Sequence, residues 1–119
     1  MLFIKQSRRK KQIMTTITKT TNGADGTSLQ GYVDATYAEL VALFGKHQLN
    51  DGYKTDAEWV LQTPAGIATI YNYKTGRNYM GKNGQAIKNI TDWHIGGKDK
   101  HIIPFILTAV EAYRIGHAL

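Results

Sequence analysis

Tyr37, Leu40, Val41 and Phe44 stand at i, i+3, i+4 and i+7 and give one apolar stripe, which predicts an amphipathic helix. Thr36 and Glu39 have the spacing of a capping box at its start. Gly45 follows directly and can take the left-handed conformation that ends a helix. The pattern then changes period. Ala57, Trp59 and Leu61 alternate with Glu58, Val60 and Gln62, as on a strand with one buried face. Thr63-Pro64-Ala65-Gly66 reads as a turn. Beyond it, Ile67, Thr69, Tyr71 and Tyr73 share one face and Ala68, Ile70 and Asn72 the other, so residues 57–73 predict a β-hairpin.

The remaining elements are shorter or less regular. Ser28–Val33 reads as an edge strand or lead-in with Leu29 and Tyr32 turned inward. Asn50-Asp51-Gly52 is turn chemistry, and Lys74–Asn78 a tight turn followed by a short strand at Tyr79-Met80. A third sheet strand is centred on Thr91–His94 and ends at Gly96-Gly97. A last helix spans about residues 99–116, with Pro104 in its first turn, where a missing N–H costs little. Ile102, Ile103, Ile106, Ala109, Val110 and Tyr113 form its stripe. Phe105 and Leu107 widen that stripe, which suits either deep packing or a second subunit, so a homo-oligomer is expected. The expected fold is α+β: a small antiparallel sheet of about three to five strands, two helices on one face, in the order β-α-β-β-β-α.

Composition places 119 residues in one domain. Residues 1–26 read as a basic disordered tail and 27–119 as the domain. Without cysteine there is no disulfide, thiolate nucleophile or zinc–cysteine site. No apolar run approaches a membrane span, so no membrane partner is expected and the cytoplasm is the default location. The formal net charge is +6. Lys5, Arg8, Arg9, Lys10, Lys11 and Lys19 lie before residue 25 with no acidic residue among them, and residues 25–119 are balanced. The basicity thus belongs to the tail. It either contacts nucleic acid through phosphates or is a leader, and a start at Met14 would remove five of its six charges.

The sequence carries no catalytic signature. Gly81-Lys82-Asn83-Gly84 lacks P-loop spacing and context. The four histidines show no metal-ligand spacing, so no metal and no cofactor is expected. Asp92 and His94 share a strand face, which suits either a general base or a solvated face. Asp56 and Glu58 also share a face and could form a carboxylate pair, but acid catalysis needs burial of one of them, which the sequence does not show, and a polar strand face is the plainer reading. The two tryptophans read as core. The densest chemistry is Tyr71, Asn72, Tyr73, Lys74, Arg77, Asn78 and Tyr79. Rings stack on nucleobases and cations pair with phosphates, so this stretch fits a nucleotide or single-stranded nucleic acid. The plainer reading gives the tyrosines to the hairpin core and the cations to its turn.

Phe44-Gly45, Asp51–Trp59, Ala68–Lys74 and Trp93–Gly97 together resemble a group of small, mostly uncharacterised accessory proteins of tailed bacteriophages. The resemblance covers roughly residues 28–97 and assigns no catalytic residue. It implies a setting in which small proteins act by binding: sequestering a nucleotide signal of host immunity, or inhibiting a host defence protein by surface contact.

The expected function is therefore a non-enzymatic accessory protein, a sponge for a small nucleotide. Tyr71, Tyr73 and Tyr79 would stack; Lys54, Lys74, Arg77 and Lys82 would pair with phosphates; Asn72, Asn78 and His94 would fix orientation. The alternatives are an inhibitor that contacts a host defence protein, a nucleic-acid binder working through the basic tail, and a small hydrolase using Asp92, His94 and Glu58.

Overall fold

The hairpin lies inside the sheet, with three other strands on its two sides. In a computed structural model, which describes residues 17–21, 24–48 and 53–117, the strands are β1 (Thr18–Lys19), β2 (Ser28–Asp34), β3 (Glu58–Thr63), β4 (Gly66–Tyr71) and β5 (Asp92–Gly97). The helices are α1 (Tyr37–Phe44), α2 (Arg77–Met80) and α3 (Ile103–His117). The strands form one antiparallel sheet in the order β1-β3-β4-β5-β2. The basic stretch before residue 17 and the Asn50-Asp51-Gly52 turn lie outside the described residues.

The expected order β-α-β-β-β-α is corrected to β-β-α-β-β-α-β-α. Thr18–Lys19, in the stretch assigned to the tail, is an edge strand. It is held by main-chain pairing, Thr18 opposite Gln62 and Lys19 opposite Leu61, while Ile17 before it is buried. Residues 77–80 form a one-turn helix instead of a turn and a strand. Leu29 and Tyr32 are exposed, and Val33 is the inward side chain of β2.

One face of the sheet presents Val33, Trp59, Leu61, Ala68, Ile70, Trp93 and Ile95 to Leu40 and Phe44 of α1 and to Ile106, Ala109 and Val110 of α3. The capping box forms as the sequence predicts: Glu39 N–H donates to Thr36 Oγ1 at 3.0 Å and Thr36 N–H to Glu39 Oε1 at 2.9 Å. The two indoles then bracket α1. Trp93 Nε1–H donates to Ala35 O at 2.9 Å, just before the helix, and Trp59 Nε1–H to Gly45 O at 2.8 Å, just after it. In α3, Phe105 is partly buried against the core, whereas Leu107 and Ile115 are exposed. No helix among the described residues is long and apolar enough to cross a membrane.

Arg114 ties the end of α3 to the start of α1. Its guanidinium bonds both oxygens of Glu39, at 2.8 and 3.0 Å, and donates to Asp34 O at 2.6 Å. That bond, against the opposing effect of burial, holds the Glu39 carboxyl at about 2. Burial pushes His47, packed on Tyr37 and Trp59, below the usual imidazole range. Both groups make the fold less stable in acid. The histidine acts as pH falls below its unfolded value near 6.5, because the unfolded chain then binds the proton more readily. Glu39 acts between its unfolded value of 4.5 and about 2, as its carboxylate is neutralised. Denaturant titrations across this range should show both losses. The Arg114→Leu variant should lose about 1 kcal/mol at pH 7, the upper end for a surface pair, and should show a smaller Glu39 step, the part that the Thr36 cap maintains.

Candidate functional site

The sheet face turned away from α1 and α3 carries an aromatic row set by strand register. Tyr71 on β4 lies opposite His94 on β5, and His94 lies opposite Tyr32 on β2; Glu58 on β3 lies opposite Tyr71. The ring of His94 is 5.0 Å from Tyr32, 5.4 Å from Tyr71 and 5.8 Å from Tyr73, centroid to centroid. Tyr73 joins because the alternation of β4 continues past its end: Tyr71 and Tyr73 point out while Asn72 points in. Gly96 makes room on the same face. A Cβ there would clash with Thr69 Oγ1 and crowd Tyr71 Cε1 at 3.3 Å, so the glycine makes room for both side chains against the β5 backbone.

Burial gives this cluster its electrostatics. It moves His94 below the ordinary histidine range, with Asp92 opposing, so the imidazole is neutral near pH 7 and offers one donor and one acceptor. Burial, and next Glu58, pushes the Tyr71 hydroxyl up. Tyr32 and Tyr73 remain open to solvent, 57% and 39% exposed, so the rings form a surface platform.

A second pair of rings lies beyond Tyr73. Tyr53 and Tyr79 are 5.3 Å apart and both exposed. The Lys74 ammonium stands between the groups, 5.2 Å from the Tyr73 ring and 5.3 Å from the Tyr79 ring. Lys74 has φ 61°, the one left-handed residue besides glycines among those described. Its N–H donates to Lys54 O at 2.8 Å, and the Lys54 ammonium lies 5.9 Å from the Tyr53 ring.

The loops that place Lys74 and Tyr79 are fastened by Asn72 and Asp56. Asn72 is wholly buried; its Oδ1 accepts the N–H groups of Asp56 at 2.7 Å and Ala57 at 3.1 Å, and its Nδ2 donates to Asp56 Oδ1 at 2.9 Å. Asp56 Oδ2 in turn accepts from Asn78 N–H at 3.3 Å, and Asn78 Nδ2 donates to Thr55 O at 3.0 Å. Only a glycine at 76 leaves room for that carboxylate, since a Cβ there would clash with it.

The structure thus gathers Tyr71, Tyr73, Lys74, Tyr79 and His94 of the expected set, with Lys54 beside Tyr53. Arg77 and Lys82 flank Tyr79 in the chain and are exposed. Asn72 is spent on the scaffold, and Asn78 gives its N–H and Nδ2 to it while remaining exposed. Asp56 spends its carboxylate on Asn72 Nδ2 and Asn78 N–H. Sequence reasoning missed Tyr32 and Tyr53. For Tyr32 the signal was available: with Val33 inward, strand alternation turns Tyr32 out. Both tryptophans are core. A separate hollow of about 490 Å³, lined by Lys19, Thr20, Thr21 and Gln48, lies at the β1 edge and contains no residue of the aromatic cluster. Among the described residues no three His, Asp or Glu are grouped to hold a metal ion.

In comparisons with protein-family models, curated proteins and solved structures, nothing matches this chain.

Proposed function

We propose that this is a non-enzymatic binding protein that takes a small nucleotide on the platform around His94, and that in a bacteriophage setting it acts by sequestering a nucleotide signal of host defence. The observation that supports the reading is the contact of one neutral, half-buried imidazole with three tyrosine rings, next to a lysine held over the third. Rings of this kind offer flat faces to a base. The imidazole offers a donor and an acceptor for a base edge, and Lys74 and Lys54 supply positive charge beside the rings of Tyr73, Tyr79 and Tyr53. Asp34 and Asp92 stand directly opposite each other where β2 ends and β5 begins, and Glu58 lies opposite Tyr71, so carboxylates border the platform. A nucleotide would lie with its base over His94 and its phosphate toward Lys74.

Titration calorimetry with AMP, cyclic AMP and ADP-ribose tests this. Heat is expected from at least one, and His94→Ala should weaken binding about tenfold, as loss of one stacking contact does. No heat from any of them, at protein concentrations near millimolar, would remove the small-nucleotide reading. The exposure of Tyr32 and Tyr53, 57% and 56%, favours a second reading, an inhibitor whose rings press on a host protein. In that case Tyr32→Ala and Tyr53→Ala would abolish co-purification with the target and leave nucleotide titrations flat. The tail-based nucleic-acid reading rests on residues outside those described.

A further inference from the structure

We infer that the site has two stacking stations with one cation between them, and that its ligand is a pair of bases joined by a single phosphodiester. The inference rests on the nucleotide reading above and narrows its ligand class. The first station is His94 with Tyr32, Tyr71 and Tyr73; the second is Tyr79 with Tyr53. Lys74 is nearly equidistant from the facing rings of the two, at 5.2 and 5.3 Å. A mononucleotide would use the first station and the lysine and leave Tyr53 and Tyr79 without a role. A two-base ligand puts one base on each station and its linking phosphate at the ammonium. Two rings hold that ammonium by its positive charge, and its outward N–H groups stay available to phosphate oxygens.

The backbone at Lys74 is the second, independent observation. Its φ of 61° is a conformation glycine or asparagine adopts at little cost and lysine does not. Strain of this kind persists where the side chain is needed in that place. Here the left-handed turn, fixed by the Lys74 N–H to Lys54 O bond of 2.8 Å, carries the chain from Tyr73 toward α2 and leaves the ammonium between Tyr73 and Tyr79. A glycine would make the same turn without the cation.

Equilibrium binding of AMP, the linear dinucleotide ApA and a ten-residue oligo(A) to the intact chain tests the inference. ApA should bind at least tenfold more tightly than AMP. Tyr79→Ala should remove that advantage, lowering ApA affinity at least fivefold more than it lowers AMP affinity, since both ligands use the lysine that Tyr79 helps to hold. Lys74→Gly should weaken ApA about tenfold while raising the melting temperature, a combination that loss of folding cannot produce. Equal affinity for ApA and oligo(A) would assign the ligand as a dinucleotide; tighter oligo(A) binding would assign it as two adjacent residues of a single strand. If AMP binds, depends on His94, and ApA binds no better, the two-station inference fails and the nucleotide reading stands. If no nucleotide binds, both fail.

Discussion

Replacing Trp93 with alanine is expected to lower the unfolding free energy by about 4 kcal/mol, enough to bring a domain of this size close to unfolding at 25 °C. Two costs combine. The indole is fully buried and edge-on to Trp59 at 5.4 Å, with Tyr37 stacked at 6.5 Å, so truncation opens a cavity at the centre of the core. It also strands Ala35 O, which accepts the indole N–H at 2.9 Å directly before the capping box of α1. Trp93→Phe separates the two. It refills most of the volume and still leaves the carbonyl without its donor, so about half the loss should remain. Urea titration followed by the fluorescence of Trp59 measures both variants. A phenylalanine variant as stable as the parent would mean that the indole bond contributes nothing and that α1 is held by packing and its cap alone.

The sequence was readable where local rules and tertiary packing demand the same residue. Thr36, Glu39 and Gly45 specify the limits of α1 by caps that need no partner elsewhere, and all three act as their positions imply. The alternation from Ala57 to Tyr73 gives a hairpin because one strand face must be apolar, and Trp59, Leu61, Ala68 and Ile70 are that face. Thr18–Lys19 was not readable. Its stabilisation is two registered main-chain pairs, and backbone hydrogen bonding leaves no trace in side-chain pattern; Ile17 was its one apolar sign. Residues 77–80 were unreadable for a related reason. Asn78 N–H, at the start of this turn of helix, bonds the Asp56 carboxylate, which is remote in sequence. The site divides in the same way. The stretch from Tyr71 to Tyr79 stands out by composition. That its rings meet His94 depends on the β4–β5 register, that Tyr32 joins them depends on the β5–β2 register, and both are fixed by tertiary structure. The asparagines of that stretch looked like ligand groups because an amide has the same donors and acceptors whether it serves a base or a backbone. Only burial separates the two uses, and Asn72 is wholly buried.

Asn72 is therefore where scaffold and site can be tested together. Asn72→Leu keeps the volume and removes every polar atom. The N–H groups of Asp56 and Ala57 lose their acceptor, and Asp56 loses the donor that holds its carboxylate against Gly76. At about 1–3 kcal/mol for each buried group left unpaired, the total should reach about 3 kcal/mol or more. The damage should be directional. The segments carrying Tyr53, Lys54, Lys74 and Tyr79 meet at this residue, whereas Tyr32, Tyr71 and His94 sit on strands paired with one another. A less drastic variant isolates the chemistry. N72D retains an acceptor for both N–H groups and replaces the amide donor by a second carboxylate facing Asp56. Two carboxylates at hydrogen-bond distance cannot both stay ionised cheaply, so one proton is taken up above the usual range. A folded-state carboxyl with a raised pKa makes the fold more stable as pH falls, the reverse of the Glu39 and His47 behaviour of the parent. N72D should thus lie well below the parent at pH 7 and close part of that gap on going to pH 5, in paired urea titrations. A gap independent of pH would mean that the Asn72 amide and the Asp56 carboxylate do not meet in solution, and that the turn carrying Lys74 is fastened by something else.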